Sequence, residues 1–471
     1  MRAIRRQRLA RLWPRRHGGA TRAPGRANPP AAWRAAAVTL AVALAAAPAA
    51  ARYPHVLVVT VDTLRADRLS SYGYRRATTP NLDRLLASGV RFTQAYTVEP
   101  LTNPSVSSIF TSLYPHEHGA TRNGLPLRPD LVSLPSRLGR GAFHTAAFVG
   151  NWTLRDRLSG LGRHFDDYHE VFSRKRWLVM KSEATADDIT SSALQWLAET
   201  RERTPHKPLM LWAHYVEPHA PYRLQEAYVP RLGYQKVGEL NASQRYDTEV
   251  AFVDAAVGEL VTGVEKLLGG DELLVVFLAD HGESFGRFGY WGHGRHLYED
   301  GLRVPMGIVW KGTLAPRVVD ATASVLDVAP TVLGLLGYPA LHDARGFDWT
   351  PVLRGKAAPP QRVTYFQAHK GAVQSVEDLT RARRRGLLEI GILRDGRKET
   401  LRLRNGERLL VDVRRDPGDG KNLVDARSRP SPELLRWREM VEKGLVAADR
   451  LPVAAVDAET DAALQALGYI D

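Results

Sequence analysis

The chain of 471 residues contains no cysteine. Disulfide bonds and thiolate metal sites are therefore excluded. The first 34 residues also lack lysine, aspartate and glutamate, but they contain ten arginines. Subtracting these ten charges from the net charge of +14 leaves +4 for the rest of the chain. Because the basic character belongs mostly to the N-terminal segment, we do not expect nucleic acid as a partner.

Residues 1–51 are predicted to be a targeting segment. A basic stretch ends at Arg34, and an apolar, alanine-rich run follows from Ala35 to Ala51. This order is typical of a secretory signal peptide, here with cleavage near residues 49–51, and it predicts a periplasmic or secreted protein. The alternative is an uncleaved segment that anchors the protein to a membrane, which the short, alanine-rich apolar core disfavours.

Two kinds of hydrophobic pattern predict two parts of the fold. At 44% hydrophobic residues the chain can bury a large core, and over residues 52–345 continuous apolar runs alternate with amphipathic segments. This pattern predicts an α/β catalytic domain with a mostly parallel sheet, whose strands are covered on both faces. Over residues 346–471 the pattern changes to alternating strands and one helix, which predicts a C-terminal α+β subdomain with an antiparallel sheet. The clearest predicted strands are residues 55–61, 145–149, 208–213 and 272–278 in the first part and 387–393, 398–403 and 407–413 in the second, with a helix at 432–446.

Polar residues follow the predicted parallel strands at the point where each strand ends. They are Asp62, Asn151, His214, and Asp280 with His281. In open α/β sheets the ligand site lies outside the carboxyl ends of the strands, so we expect these side chains to meet at one edge. Two carboxylates and an imidazole are ligands for a divalent metal. If the same residues were unrelated helix caps, their order and spacing would be a coincidence.

Thr102 occupies an unusual position before a predicted helix. Pro104 suits the first helical turn, and Asn103 is a good N-cap in front of it. Thr102 would then lie at a helix N-terminus, where free N–H groups and the helix dipole favour an anion such as phosphate or sulfate. The alternative is an ordinary capped surface helix.

Two loops add further histidines. The loop of residues 214–222 contains His214, Glu217 and His219, and the glycine-rich loop of residues 291–305 contains His293 and His296. These residues are candidates for binding substrate, for proton transfer or for a second metal. Solvated loop histidines are the alternative.

In order and spacing these stretches resemble the sulfatases of the alkaline phosphatase superfamily, from about Pro54 to Gly346 and on through the C-terminal subdomain. The segments 79–96, 112–119 and 412–423 are also similar to that family. The resemblance implies a three-layer, alkaline-phosphatase-like sandwich and ester hydrolysis at a sulfuryl or phosphoryl centre. It further implies a divalent metal held by Asp62, Asp280, His281 and the nucleophile.

The chain departs from the family pattern at the nucleophile. The family signature Cys/Ser-x-Pro-Ser-Arg aligns with Thr-Asn-Pro-Ser-Val at residues 102–106. Family members oxidise the Cys or Ser to formylglycine, and we expect no formylglycine at Thr102. Val106 replaces the motif arginine, and Asn151 and Thr153 stand where the family has a lysine and a histidine that grip the sulfate.

One interpretation makes Thr102 both a metal ligand and the nucleophile. It would form a covalent phospho- or sulfo-threonine that water hydrolyses, with His219 or His293 as the acid for the leaving group. Asn151 and His214 would bind the substrate. Because a sulfo-threonine lacks the breakdown route of the aldehyde hydrate, the chemistry favours phosphate esters, diesters or phosphonates over sulfate esters.

Two other interpretations keep the fold and change the outcome. A protein without turnover would bind a sulfated or phosphorylated glycan or lipid through the retained metal. A transferase would pass the phosphoryl group from Thr102 to a second alcohol instead of water. In each case the donor set suits Ca²⁺ or Mn²⁺, with Zn²⁺ as an alternative.

Overall fold

The computed structural model describes residues 53–451 except 173, 178–179, 236, 375 and 426, together with residues 457, 460–462 and 465. The predicted targeting segment, residues 1–51, lies outside the described residues. Among the residues that are described, we find no helix with the length and hydropathy needed to cross a bilayer.

The strands of the structure are assigned as follows in chain order: β1 (His55–Val61), β2 (Val90–Tyr96), β3 (His144–Val149), β4 (Asp167–Glu170), β5 (Arg174–Trp177), β6 (Met180–Glu183), β7 (Leu209–Tyr215), β8 (Leu273–Ala279), β9 (Ser284–Arg287), β10 (Tyr290–Gly292), β11 (Arg303–Trp310), β12 (Arg317–Ser324), β13 (Thr364–His369), β14 (Leu387–Arg394), β15 (Arg397–Arg402) and β16 (Arg408–Asp412).

The helices that connect and cover these strands are α1 (Pro80–Ala87), α2 (Thr102–Thr111), α3 (Pro115–His118), α4 (Leu134–Gly139), α5 (Asp156–Ser159), α6 (Ala186–Arg203), α7 (Ala242–Leu268), α8 (Glu299–Leu302), α9 (Val328–Leu336), α10 (Thr350–Leu353), α11 (Ala382–Gly386) and α12 (Pro432–Ala448).

An eight-stranded, mostly parallel sheet forms the centre of the fold. Its strand order is β12-β2-β11-β8-β1-β7-β3-β4, in which β11 runs antiparallel to β2 and β8 while the other pairings are parallel. Every residue of β1, β7 and β8 is buried, so both faces of these central strands are covered. Their continuous Val- and Leu-rich sequences are the reason, because such strands gain stability only when both faces are shielded from water.

The four strands predicted from apolar runs are confirmed as β1, β3, β7 and β8. Strand β7 continues to Tyr215, so His214 lies inside the strand rather than after it. The strand is longer than predicted because His214 pairs in register with Thr60 of β1, so the parallel ladder extends past the apolar run.

A separate antiparallel sheet, β13-β14-β15-β16, follows later in the chain. The three strands predicted there are confirmed within two residues at each end, whereas β13 was not predicted. Helix α12 begins after Ser431, whose side chain accepts the N–H of Leu434, and it buries an apolar stripe that includes Trp437 and Val441. Because the chain from Tyr53 onward forms one compact unit, the boundary between residues 345 and 346 stays a prediction.

A fully buried lysine joins the antiparallel sheet to the chain segment before β11. Lys398 of β15 donates from Nζ to the carbonyl oxygen of Leu297 at 2.8 Å. The same Nζ lies 3.0 Å from a carboxylate oxygen of Glu299 and 2.9 Å from one of Asp419. A buried cation between two buried carboxylates makes the three charges dependent on one another.

Replacing Lys398 with Met keeps the length of the side chain but leaves Glu299 and Asp419 buried without their cation. We expect the free energy of unfolding, measured by urea denaturation, to fall by about 3–5 kcal/mol. Lys421→Met, at an exposed position, is the control and should change that free energy by less than about 0.5 kcal/mol. Equal stability of K398M and the parent protein would contradict this account of the buried cluster.

Candidate active site

Asp62, Asp280 and His281 meet at the carboxyl edge of the central sheet. Asp62 directly follows β1, and Asp280 and His281 directly follow β8. Because β1 and β8 are parallel neighbours in register, their ends bring the three side chains together. All three are fully buried, and one donor atom from each lies within 4.8 Å of the others.

The hydrogen bonds of this cluster leave one lone-pair atom of each of its three side chains available for a cation. His281 Nδ1 lies 2.9 Å from the carbonyl oxygen of Gly282, so Nδ1 carries the proton and Nε2 presents a lone pair. This Nε2 is 3.5 Å from Asp62 Oδ1 and 3.6 Å from Asp280 Oδ2. Neither of those two buried oxygens has a hydrogen-bond partner among the described residues. Two unsatisfied carboxylate oxygens and one imidazole nitrogen therefore fit a divalent cation.

The pKa shifts of the two carboxylates also point to a site that needs positive charge. Burial raises the pKa of Asp280 well above its usual range, and the neighbouring charge of Asp62 raises it further. Burial alone would raise the pKa of Asp62 too, but His219, His214 and His281 together lower it. Two adjacent carboxylates ionise together only when a cation compensates their charges.

Thr102 lies at the same cluster. It is the first residue of α2, it is fully buried, and its Oγ1 is 3.3 Å from His281 Nε2. The predicted position of Thr102 at a helix N-terminus is therefore confirmed. Its hydroxyl lies beside the imidazole that faces both carboxylates.

The prediction that Asn103 is the N-cap of this helix is wrong. The cap is Leu101, which has extended backbone and makes no side-chain cap, and Asn103 lies inside the first turn together with Pro104. The helix tolerates this start because a distant side chain, Asn123 Oδ1, accepts the backbone N–H of Asn103 at 3.0 Å. The side chain of Asn103 donates instead to the carbonyl oxygen of Leu125 at 2.9 Å.

Asn151 and His214, the predicted substrate-binding residues, both lie against Asp62. Asn151 Nδ2 donates to Asp62 Oδ2, while its Oδ1 accepts the backbone N–H of Thr153 at 2.8 Å. His214 Nε2 lies 3.8 Å from the same Asp62 oxygen, and its Nδ1 is 2.8 Å from Thr60 Oγ1. In this arrangement both side chains orient a carboxylate of the cluster, and their contact with substrate stays a prediction.

His219 and His293 lie side by side next to the cluster. Their ring centroids are 5.1 Å apart, and the ring of His293 is 4.5 Å from that of His281. His219 Nδ1 donates to the carbonyl oxygen of Ala220 at 2.7 Å. Burial lowers the pKa of His219, and it lowers that of His293 to about 3. The structure thus brings both predicted acids to the cluster.

Glu283 is a fully buried neighbour of this cluster to which the sequence analysis gave no role. Its Oε1 lies 3.1 Å from His293 Nδ1, and burial raises its pKa to about 7. The signal for it was its place in the Asp-His-Gly-Glu sequence, two residues after His281. Only the fold shows that the chain returns after β10 to place His293 against it.

His296 lies elsewhere. Its Nδ1 is 2.6 Å from Glu389 Oε1 on β14, and the other oxygen of Glu389 accepts the N–H of Leu297 at 3.0 Å. His296 therefore belongs to the contact between this loop and the antiparallel sheet.

Within the described ranges of the chain, Asp62, Asp280 and His281 are the one group of three side chains close enough to hold a metal, so the residues proposed for a second metal do not form such a group.

The sequence matches the family model described as Sulfatase over residues 54–338. This chain belongs to the sulfatase family. Arylsulfatase A of Homo sapiens is 27% identical over 84% of this chain and 89% of its own length. N-acetylglucosamine-6-O-sulfatase of Bacteroides thetaiotaomicron is 24% identical over 67% of this chain and 74% of its own length. Membership confirms the predicted enzyme class, a hydrolase acting on ester bonds, and does not favour the interpretation without turnover.

Solved structures share the fold. A protein in complex with its substrate D-glucosamine-2-N,6-O-disulfate matches with a TM-score of 0.65 at 21% identity, over 85% of this chain and 100% of that chain. The phosphonate monoester hydrolase of Agrobacterium radiobacter matches with a TM-score of 0.64 at 18% identity, over 84% of this chain and 96% of that chain. These matches confirm the predicted alkaline-phosphatase-like architecture.

Replacing Asp280 with Asn removes one of the two carboxylates of the cluster at nearly constant volume. We expect the affinity for Mn²⁺, measured by titration calorimetry on the purified protein, to fall at least about 100-fold, since even residues that only orient metal ligands are worth 10- to 100-fold. Asp254→Asn is the matched control, because Asp254 is equally buried but accepts hydrogen bonds from α1 instead. Unchanged Mn²⁺ affinity in D280N would rule out the cluster as the metal site.

Proposed function

We propose that this protein is an exported, metal-dependent hydrolase that cleaves sulfate- or phosphate-type esters by attack of Thr102 at the sulfuryl or phosphoryl centre. The observation that supports it best is the position of the Thr102 hydroxyl, at a helix N-terminus and 3.3 Å from the imidazole of the Asp-Asp-His cluster. A nucleophile needs an adjacent group that activates it and a place for the charge of the ester, and this position offers both.

The proposed reaction proceeds in two displacements. Asp62, Thr102, Asp280 and His281 would hold a divalent cation, which when bound lowers the pKa of the hydroxyl and neutralises charge on the ester. Thr102 Oγ1 gives up its proton to solvent and forms a bond to phosphorus or sulfur while the bond to the alcohol oxygen breaks. Water then attacks the phospho- or sulfo-threonine, releases the inorganic anion and restores the hydroxyl of Thr102.

The leaving alcohol needs a proton, and the paired histidines are placed to supply one. His293 Nδ1 and Glu283 Oε1 are 3.1 Å apart, so these two groups can hold a proton between them. His219 lies against the ring of His293, with the two ring centroids 5.1 Å apart. We assign protonation of the leaving oxygen to His293 or His219; because burial lowers the pKa of both rings, Glu283, whose pKa burial raises to about 7, would supply the proton that His293 passes on.

Threonine at the nucleophile position favours phosphorus esters. Oxidation of its secondary alcohol would give a ketone and not the aldehyde of formylglycine, so we propose that the hydroxyl acts unmodified. A phosphoryl-threonine is hydrolysed by ordinary attack of water at phosphorus, whereas a sulfo-threonine has no hydrate oxygen to expel the sulfate. We therefore expect phosphodiesters or phosphonate esters to react faster than sulfate esters, although the named relatives are sulfatases.

Export is proposed from the sequence alone. The order of a basic stretch and an alanine-rich run in residues 1–51 predicts cleavage before residue 52 and a periplasmic or secreted enzyme.

Thr102→Ala should lower kcat about 10³-fold or more, because loss of a covalent nucleophile leaves only the contribution of binding and electrostatics. The assay is hydrolysis, in the presence of Mn²⁺, of an aryl phosphodiester, a phosphonate monoester, a phosphate monoester and an aryl sulfate. Thr111→Ala is the matched control, since Thr111 ends the same helix and its hydroxyl donates to the carbonyl oxygen of Ser107 and accepts the backbone N–H of Leu113. It should stay within about threefold of the parent.

The outcomes separate the parts of the proposal. Full activity of T102A would show that Thr102 is not the nucleophile. Faster turnover of the aryl sulfate than of either phosphorus ester, lost in T102A, would retain the nucleophile and overturn the predicted preference.

A further inference from the structure

The hairpin that joins Glu283 to His293 exposes two aromatic side chains. Strands β9 and β10 form this hairpin, which begins directly after Glu283 and ends directly before His293. Phe288 and Trp291 are 59% and 60% exposed, and among the described tryptophan and phenylalanine residues these two are the exposed ones. Tryptophan is enriched at binding surfaces, because its ring offers a large apolar face and has few rotatable bonds.

Two contacts hold the hairpin in place. Glu283 Oε1 lies 3.1 Å from His293 Nδ1, so the two ends of the hairpin meet. The ring of Phe285, on β9, packs against Tyr246 of α7 with the ring centroids 4.8 Å apart. Trp291 pairs with Phe285 across the hairpin, so the backbone of Trp291 is positioned by the same packing.

The indole of Trp291 lies against the backbone of Gly286. A Cβ atom added at Gly286 would be 2.9 Å from the indole ring, which is closer than van der Waals contact, so a larger residue there would displace the ring. Gly286 also has a φ of +84°, in the left-handed region that favours glycine. Because part of the ring is held against backbone while the residue is largely exposed, Trp291 presents a fixed apolar surface to solvent.

Trp291 lies close in the chain to the group that protonates the leaving alcohol. The Cα atoms of Trp291 and His293 are two residues apart, a separation of at most about 7 Å. Under the proposed function, the leaving oxygen takes its proton from His293 or His219, so the rest of the alcohol begins beside these two rings. The Asp-Asp-His cluster is fully buried, and the alcohol must therefore extend away from it towards solvent.

We propose that Trp291 is a specificity-determining residue whose indole binds a ring in the alcohol part of the ester. This inference rests on the proposed function and adds the class of alcohol to it. The indole surface is apolar and uncharged, so the ring that it binds has an apolar face, as an aryl group or a pyranose does. Such a contact is made equally in the bound substrate and in the transition state, and it therefore acts on binding more than on the chemical step.

Phosphinates test this contact without turnover, because a P–C bond takes the place of the ester bond. Benzyl(methyl)phosphinate imitates an aryl ester, pyranosylmethyl(methyl)phosphinate imitates a glycan ester, and propyl(methyl)phosphinate carries no ring. In titration calorimetry with Mn²⁺ present, we expect the parent protein to bind at least one of the two ring compounds about tenfold more tightly than the propyl compound. The compound with this preference identifies the ring as aromatic or as a pyranose.

Trp291→Ala should remove the preference for the ring and leave the affinity for the propyl compound within about twofold of the parent. Trp291→Phe keeps an aromatic face and should retain most of the preference. In hydrolysis of an aryl phosphonate monoester, or of the matching pyranosyl ester, W291A should raise KM about tenfold and change kcat less than about threefold, as expected for loss of uniform binding.

Phe288→Ala is the matched control. Phe288 lies on the same hairpin and is exposed to the same extent, but its ring contacts Tyr298, with the ring centroids 5.2 Å apart. Both rings line a cavity next to the antiparallel sheet, together with Arg402. We expect the three phosphinate affinities of F288A to stay within about twofold of the parent.

Three results would overturn the inference. The first is a parent protein that prefers neither ring compound, and the second is a preference that W291A retains. The third is an equal loss of affinity for all three phosphinates and for Mn²⁺ in W291A, which would make Trp291 a structural residue of the hairpin. If the parent protein hydrolyses no ester, the proposed function fails, and the phosphinate affinities of the parent and W291A still decide whether Trp291 binds a ring.

Discussion

The structure depends on the burial of two carboxylates side by side at the ends of β1 and β8. Asp62 and Asp280 have no exposed surface, and each keeps one oxygen without a hydrogen-bond partner among the described residues. Burying one ionised carboxylate is costly, and burying two together is more so unless a cation lies between them. The parallel register of β1 and β8 forces this proximity. Binding of a divalent cation would offset the free-energy cost of burying both carboxylates.

The antiparallel sheet contributes to the site from a distance. Leu297 lies four residues after His293. Its N–H donates to a carboxylate oxygen of Glu389, and its carbonyl oxygen accepts a hydrogen bond from Lys398 Nζ. Glu99, three residues before Thr102, accepts the backbone N–H of His369 at 2.7 Å. The segments that carry the nucleophile and the paired histidines are therefore both tied to residues after 345. Separating that sheet from the rest of the chain would release both segments.

The strands of the central sheet and the residues that directly follow them could be predicted from the sequence, because both depend on patterns among neighbouring residues. Strands β1 and β8 could be recognised because they are buried on both faces, and the meeting of Asp62, Asp280 and His281 at their ends followed from the rule that parallel strands end at one edge. The N-cap of α2 was predicted wrongly because the backbone N–H of Asn103 is satisfied by Asn123, twenty residues away in sequence. Glu283 was missed for the same reason, since it contacts His293 only through tertiary packing. Such tertiary contacts produce no hydrophobic periodicity and no compositional bias in the sequence.

The charges of the site narrow the kind of ester that it can hold. Two carboxylates and one divalent cation sum to zero, and the guanidinium groups of Arg65 and Arg122 are already paired with Asp67 and Glu377. A singly charged ester then adds one uncompensated charge to a buried site, whereas a phosphate monoester dianion adds two. Neutral hydrogen-bond donors stabilise one negative charge better than they stabilise a second one. Under the proposed function, we therefore expect phosphodiesters, phosphonate monoesters and sulfate esters to react in preference to phosphate monoesters.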